Sequence, residues 1–256
     1  MPLLDALVCP AEAVGALRPR GEELECQQCG ARYPLREGIP VLLAPAPDVE
    51  DRLALVDRER RQRDREADDY DRLPGLRLMS PREIPATLNP LGLGRASRLL
   101  EVGCGTGRLT LPARRRGAQV LAVDHSLESL LRLRQKLAGA EAAGVQLVQA
   151  EAFRLPVRSG WATHGLAAQM LEHVPSPALR SRVLAELARA LEAGGRAAVS
   201  AYRTLPWLAR EGMHSGEMYF RRFTRAEFQG LLEPHFRVER LSGGLLYAWL
   251  AHGTRP

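Results

Sequence analysis

Leu99-Leu100-Glu101-Val102-Gly103-Cys104-Gly105-Thr106-Gly107 sets an apolar strand directly against three alternating glycines. Glycine lets the chain turn tightly and lets a ligand approach the backbone at the carboxyl end of a first strand. A dinucleotide fold would place its third glycine at position 108, where this chain has Arg108. The Gly-x-Gly-x-Gly spacing therefore argues against a pyrophosphate ligand. A second apolar run, Val120-Leu121-Ala122-Val123, ends on Asp124. A carboxylate at that strand end can accept hydrogen bonds from both hydroxyls of a ribose. Loop and carboxylate together predict a pocket for an adenosine-bearing cofactor, rather than a plain turn and a helix cap.

Beyond Arg95 short apolar runs alternate with helical stretches, the pattern of an α/β protein with a Rossmann-like doubly wound, mostly parallel sheet. Strands are expected over 98–102, 119–123, 145–149, 165–168 and 196–201, with helices over 126–137 and 178–191. A Thr-capped helix over 224–232 precedes apolar runs at 236–241 and 245–250 around Ser242-Gly243-Gly244, which predict an antiparallel last hairpin. Three regions follow: a small β-rich block over 1–45 ending in the linker-like Ala44-Pro45-Ala46-Pro47, a charged helical linker and lid over 46–95, and the main domain over 96–256. Within the 46–95 region the stretch 49–73, dense in Asp, Glu and Arg, reads as one or two exposed helices.

The 256 residues contain no apolar run near the roughly 20 residues that span a bilayer. The start, Met1-Pro2-Leu3-Leu4-Asp5, lacks the basic region of a signal peptide, and the four cysteines do not suit a secreted disulfide framework. The expected compartment is the cytoplasm. A net charge of +6 raises the prospect of an anionic partner such as nucleic acid. Of the 36 basic residues only Lys136 is a lysine, which points to codon usage more than to a selected basic patch.

Two further motifs narrow the reading: Ala150-Glu151-Ala152-Phe153-Arg154-Leu155-Pro156 after the third strand, and Gln169-Met170-Leu171-Glu172-His173-Val174 after the fourth. With them the chain resembles the class I S-adenosylmethionine-dependent methyltransferases, which act on small molecules, lipids, proteins or RNA, over about 99–201. The resemblance implies that Glu101, Gly103, Cys104, Gly105 and Gly107 surround the methionine portion of S-adenosyl-L-methionine. It places Asp124 at the ribose, with His125 beside it among the cofactor contacts, Glu151, Ala152 and Phe153 at the adenine, and Gln169 and Met170 on the pocket wall. Where the family has Phe-Asp entering the fourth strand, this chain has Ala162-Thr163 after Trp161, a divergence at a structural position.

Methyl transfer is an in-line displacement, so the protein must chiefly orient the nucleophile and exclude water. A hydroxyl or ring nitrogen usually also needs a base. The candidates are His173 and His214, the latter within Glu211-Gly212-Met213-His214-Ser215-Gly216. An RNA base is slightly favoured as acceptor over a small molecule, and a non-catalytic cofactor-binding adapter is the reading from another class.

In the first block Cys26-Gln27-Gln28-Cys29-Gly30 is half of a zinc knuckle, with Cys9 upstream and Glu12 where a ribbon would carry its fourth cysteine. The block resembles the small zinc-ribbon-like domain of the tRNA-methyltransferase activator family, notably in Tyr33-Pro34-Leu35-Arg36-Glu37-Gly38-Ile39-Pro40-Val41-Leu42-Leu43. Cys9, Cys26, Cys29 and Glu12 could form a mixed sulfur and oxygen site. Structural zinc overwhelmingly prefers cysteine and histidine. The expectation is therefore a degenerate, metal-free block held by Leu7, Val8, Leu24, Tyr33, Ile39, Val41 and Leu42.

Overall fold

The computed structural model describes residues 3–11, 15–44, 50–137, 139, 141–214, 218–245 and 247–256. Most of the expected 44–47 linker, together with Glu12, Ser215 and Gly216, lies outside the described residues. At the N-terminus β1 (Leu17–Arg20), β2 (Glu23–Cys26), β3 (Arg32–Arg36) and β4 (Ile39–Pro40) form an antiparallel meander. Next come α1 (Glu50–Glu66) and α2 (Pro74–Leu88).

The main sheet begins with β5 (Arg98–Val102), α3 (Thr110–Arg115), β6 (Gln119–Asp124), α4 (Leu127–Lys136) and β7 (Val145–Gln149). The chain then crosses to the other side of β5 for β8 (Ala162–Ala168), α5 (Pro177–Ala190) and β9 (Leu191–Tyr202). After a two-stranded hairpin of β10 (Glu211–His214) and β11 (Met218–Arg221) come α6 (Arg225–Leu232), β12 (Arg237–Leu245) and β13 (Ala248–Thr254). The seven strands lie in the order β12-β13-β9-β8-β5-β6-β7. The five from β9 to β7 pair in parallel, while β13 and β12 add antiparallel edges.

Strand alternation divides the apolar residues between two faces. Leu100, Val102, Leu121 and Val123 join the cluster under α5 and α6, whereas Leu99, Val120 and Ala122 join the one under α2, α3 and α4. Helix starts follow their caps: Ser126 Oγ accepts from Ser129 N at 3.1 Å, Ser176 Oγ from Leu179 N at 3.1 Å, and Thr224 with Glu227 completes a capping box. Thr163 takes over at the divergent entry to the fourth parallel strand, its Oγ1 accepting from Arg98 N at 2.9 Å.

The N-terminal meander is fused to the main core. Leu7, Leu24, Tyr33 and Leu42 belong to the same buried cluster as Leu100 and Val148. Leu42 N donates to Gln149 O at 2.8 Å, and Val41 forms a parallel bridge with Gln149, so the meander covers the end of edge strand β7. Covering an edge removes a template for unwanted strand pairing.

Candidate active site

Where strand order reverses beside β5, the carboxyl ends of β5 and β8 diverge and leave a crevice, the usual ligand position in open α/β sheets. A cleft with about 1170 Å³ of empty space occupies it. Its floor is the glycine loop after β5, and Asp124, His125, Glu151, Ala152, Phe153, Gln169 and Met170 line its walls. Glu101, Gly103, Cys104 and Gly105 line it as well. Of the expected cofactor contacts Gly107 alone stands apart. At φ +89°, a Cβ there would lie 2.2 Å from Leu133 Cδ1, so this glycine serves packing of the loop on α4 and does not face the cleft.

The other two glycines, Gly103 and Gly105, line the cleft. Gly103 at φ +73° has Met170 Cβ 2.8 Å from where its own Cβ would stand, which brings the ends of β5 and β8 together. Gly105 at φ +52° has nothing within 4 Å of that point, leaving its backbone open to a ligand. Asp124 Oδ2 accepts from Gly105 N at 2.8 Å and Oδ1 from Ser126 N at 2.9 Å. The carboxylate thus ties the loop to the start of α4, with lone pairs left over for a diol.

Glu101 is 3% exposed and accepts a 2.6 Å hydrogen bond from the Thr110 hydroxyl. Burial pushes its carboxyl up to about 7 against that bond. Burial also raises Glu151, with His125 and Arg60 pulling the other way. Glu59, Glu66, Glu101, Asp124 and Glu151 line the cleft against Arg63 and Arg108. This acidic balance suits a cationic sulfonium, so the residues fit S-adenosylmethionine.

The two histidines separate. His173 lines the cleft, mostly buried, with Nδ1 2.9 Å from Tyr219 O and 3.6 Å from Glu59 Oε1. A carbonyl can only accept, so Nδ1 carries the hydrogen and Nε2 is the basic nitrogen. Burial and then the Arg63 charge hold the ring well below the usual histidine range, hence neutral. His214 does not line the cleft. It stacks on Phe220 at 4.1 Å, with its ring 6.3 Å from that of His173. Glu172 is buried behind the wall rather than in it.

From the stretch expected as a helical linker and lid, Val56, Glu59, Arg63, Glu66, Ala67 and Tyr70 line the cleft from above as a roof. Asp64 Oδ1 accepts from the Ser126 hydroxyl at 2.6 Å, Asp71 Oδ1 from the Thr106 hydroxyl at 2.7 Å, and ion pairs join Asp68 to Arg132 and Asp71 to Lys136. Arg108, at the absent third glycine, pairs twice with buried Glu83, at 2.6 and 3.1 Å. Tyr247 donates to Glu83 Oε2 at 3.0 Å, and Gln169, in the left-handed region at φ +54°, donates to Tyr247 at 2.5 Å.

Residues 100–199 match the family model described as a methyltransferase domain. That segment is a methyltransferase domain. The match leaves 1–99, including the meander, outside it. A ubiquinone biosynthesis O-methyltransferase of Aeromonas salmonicida (strain A449) is 37% identical over 112 residues, covering 43% of this chain and 44% of that one. The chain therefore matches less than half the length of this curated relative. The solved 1,6-didemethyltoxoflavin-N1-methyltransferase of Burkholderia thailandensis, with 1,6-didemethyltoxoflavin and S-adenosylhomocysteine bound, shares the fold at TM-score 0.65 and 19% identity, covering 93% of this chain and 98% of that one. The [4+2]-cyclase SpnF also shares it, at TM-score 0.57 and 16% identity over 68% of this chain and 80% of its own. Fold alone leaves the reaction open.

Proposed function

We propose that the protein transfers a methyl group from S-adenosylmethionine to a hydroxyl of a small molecule. The observation that carries this reading is His173, a buried neutral imidazole on the wall of the cleft whose Nδ1 is committed to Tyr219 O at 2.9 Å. An amine acceptor would need little beyond orientation, whereas a hydroxyl needs a proton acceptor of this kind. When bound, S-adenosylmethionine would supply the electrophilic methyl carbon, with its thioether as the leaving group. His173 Nε2 takes the hydroxyl proton as the oxygen bonds to that carbon, while the roof of α1 excludes water. The O-methyltransferase relative supports a small hydroxylated acceptor over the RNA base favoured from charge. Cys104, buried in the loop, shapes the floor and takes no chemical part.

Labelled cofactor offered with hydroxylated-metabolite extract, protein extract and total RNA should place label in the metabolite fraction. Label in RNA alone would sink the proposed acceptor, and no heat of binding with S-adenosylhomocysteine would sink the enzyme itself. Asp124→Ala should weaken cofactor binding by roughly 1.5 to 3 kcal/mol, the worth of a charged hydrogen-bonding group. His173→Ala should lower kcat by about 10² to 10⁴ with cofactor affinity kept. In the wild type the acid limb of kcat should fall below pH ~6.5, because the ring protonates later than a free histidine.

A further inference from the structure

We propose that Cys9, Cys26 and Cys29 hold a zinc-like divalent ion through three thiolates, and that this ion braces both ends of the loop 150–156. This reverses the metal-free expectation, and it stands independently of the methyltransferase reading. All three Sγ atoms lie within 4.8 Å of one another. Cys9 Sγ and Cys29 Sγ are 3.8 Å apart, far beyond the ~2.05 Å of a disulfide. Tetrahedral bonds of ~2.3 Å put neighbouring sulfurs about 3.8 Å apart.

The surroundings keep the sulfurs converged. A Cβ on Gly15 would lie 2.4 Å from Cys26 Sγ and 3.3 Å from Cys9 Cβ, so only glycine admits both thiols. Gln28 N donates to Cys26 Sγ at 3.4 Å, and the Tyr33 hydroxyl is 3.1 Å from Cys9 Sγ. Cys9 and Cys26 are buried and Cys29 is exposed, which leaves a solvent side for a fourth ligand such as water.

The same few residues grip the main domain. Cys9 N donates to Gly15 O at 2.8 Å, Val8 N to Pro156 O at 3.0 Å, and Arg158 N to Ala6 O at 2.8 Å. At the other end of the loop Leu42 N donates to Gln149 O at 2.8 Å. Fixing Cys9 to the Cys26–Cys29 knuckle therefore fixes both attachments.

The test uses the full chain, prepared with zinc and without chelator. Elemental analysis should find about one zinc per chain, and cobalt(II) in its place should give thiolate charge-transfer absorption. Cys29→Ser, at the exposed position, should lose at least tenfold in zinc affinity with an unchanged circular dichroism spectrum. Stripping zinc from the wild type with a chelator should speed amide hydrogen exchange within 150–156 about tenfold or more. Absence of zinc and of the cobalt band overturns the site, as does Cys29→Ser with undiminished affinity. Zinc loss without faster exchange overturns the brace.

Discussion

Glu172 carries the most exposed cost of any single residue: it is fully buried, and neither carboxylate oxygen has a hydrogen-bond partner. Burial pushes it up to about 8. Its unfolded value lies near 4.3, so folding takes up a proton between the two, and stability from this group falls as pH rises from about 4.5 through 8. Glu172→Gln removes the titration. It should leave the melting temperature little changed near pH 4, raise it progressively as pH rises towards 8, and stabilise by roughly 3 to 5 kcal/mol at pH 9, which thermal unfolding at both ends of that window would check. Asp124 and the glycine loop were legible in the sequence because their chemistry is local, carried by spacing within one turn or one strand end. Arg63 and Glu59 were not, because a helix dense in charge reads as solvated until something packs beneath it. Arg108 likewise looked like a missing glycine until Glu83 stood opposite it, 25 residues away in sequence.

Among elements, α1 departs furthest from what its composition suggests. Its 17 residues and the turn after them are pinned over the cleft by Asp64, Asp68 and Asp71, which reach α4 and the glycine loop. Partly exposed ion pairs of this kind are individually worth about 0 to 1 kcal/mol and are screened by salt, so the roof can open. Asp71→Ala should speed release of S-adenosylhomocysteine about three- to tenfold, and high salt should bring the wild type towards the variant in stopped-flow measurements. An unchanged release rate would deny α1 its role as a gate. Helix α2 falls within the expected helical stretch 46–95 but beyond the 49–73 run that patterning picks out, because Pro81 and Pro85 lie inside it, where proline ordinarily breaks a helix. The hairpin β10–β11 escaped because its four-residue strands carry mixed polarity, with burial alternating only weakly. By contrast β5, β7 and the Thr224 cap stand where hydrophobic runs and capping chemistry put them.

For the molecule as a whole, one buried cluster runs from Leu3 through the sheet to Ala251. Its continuity predicts a single cooperative unfolding transition, in which the meander and the sheet melt together. Calorimetry resolving two transitions would instead make the meander an independent unit. Among the described residues no helix is long and apolar enough to cross a membrane. Sequence patterning carried the α/β class and the mostly parallel sheet with its antiparallel last strand, since short apolar runs alternating with helices admit few alternatives. The fusion of the first block to β7 had no local signature, because it rests on backbone hydrogen bonds between segments over a hundred residues apart.

That fusion meets at Gln149. Its carbonyl receives the meander through Leu42, its side chain donates to His125 O at 2.9 Å beside Asp124, and the loop that brings Glu151, Ala152 and Phe153 to the cleft starts at the next residue. A substitution in the meander that displaces Leu42 should therefore change S-adenosylhomocysteine affinity in calorimetry without altering any residue that lines the cleft.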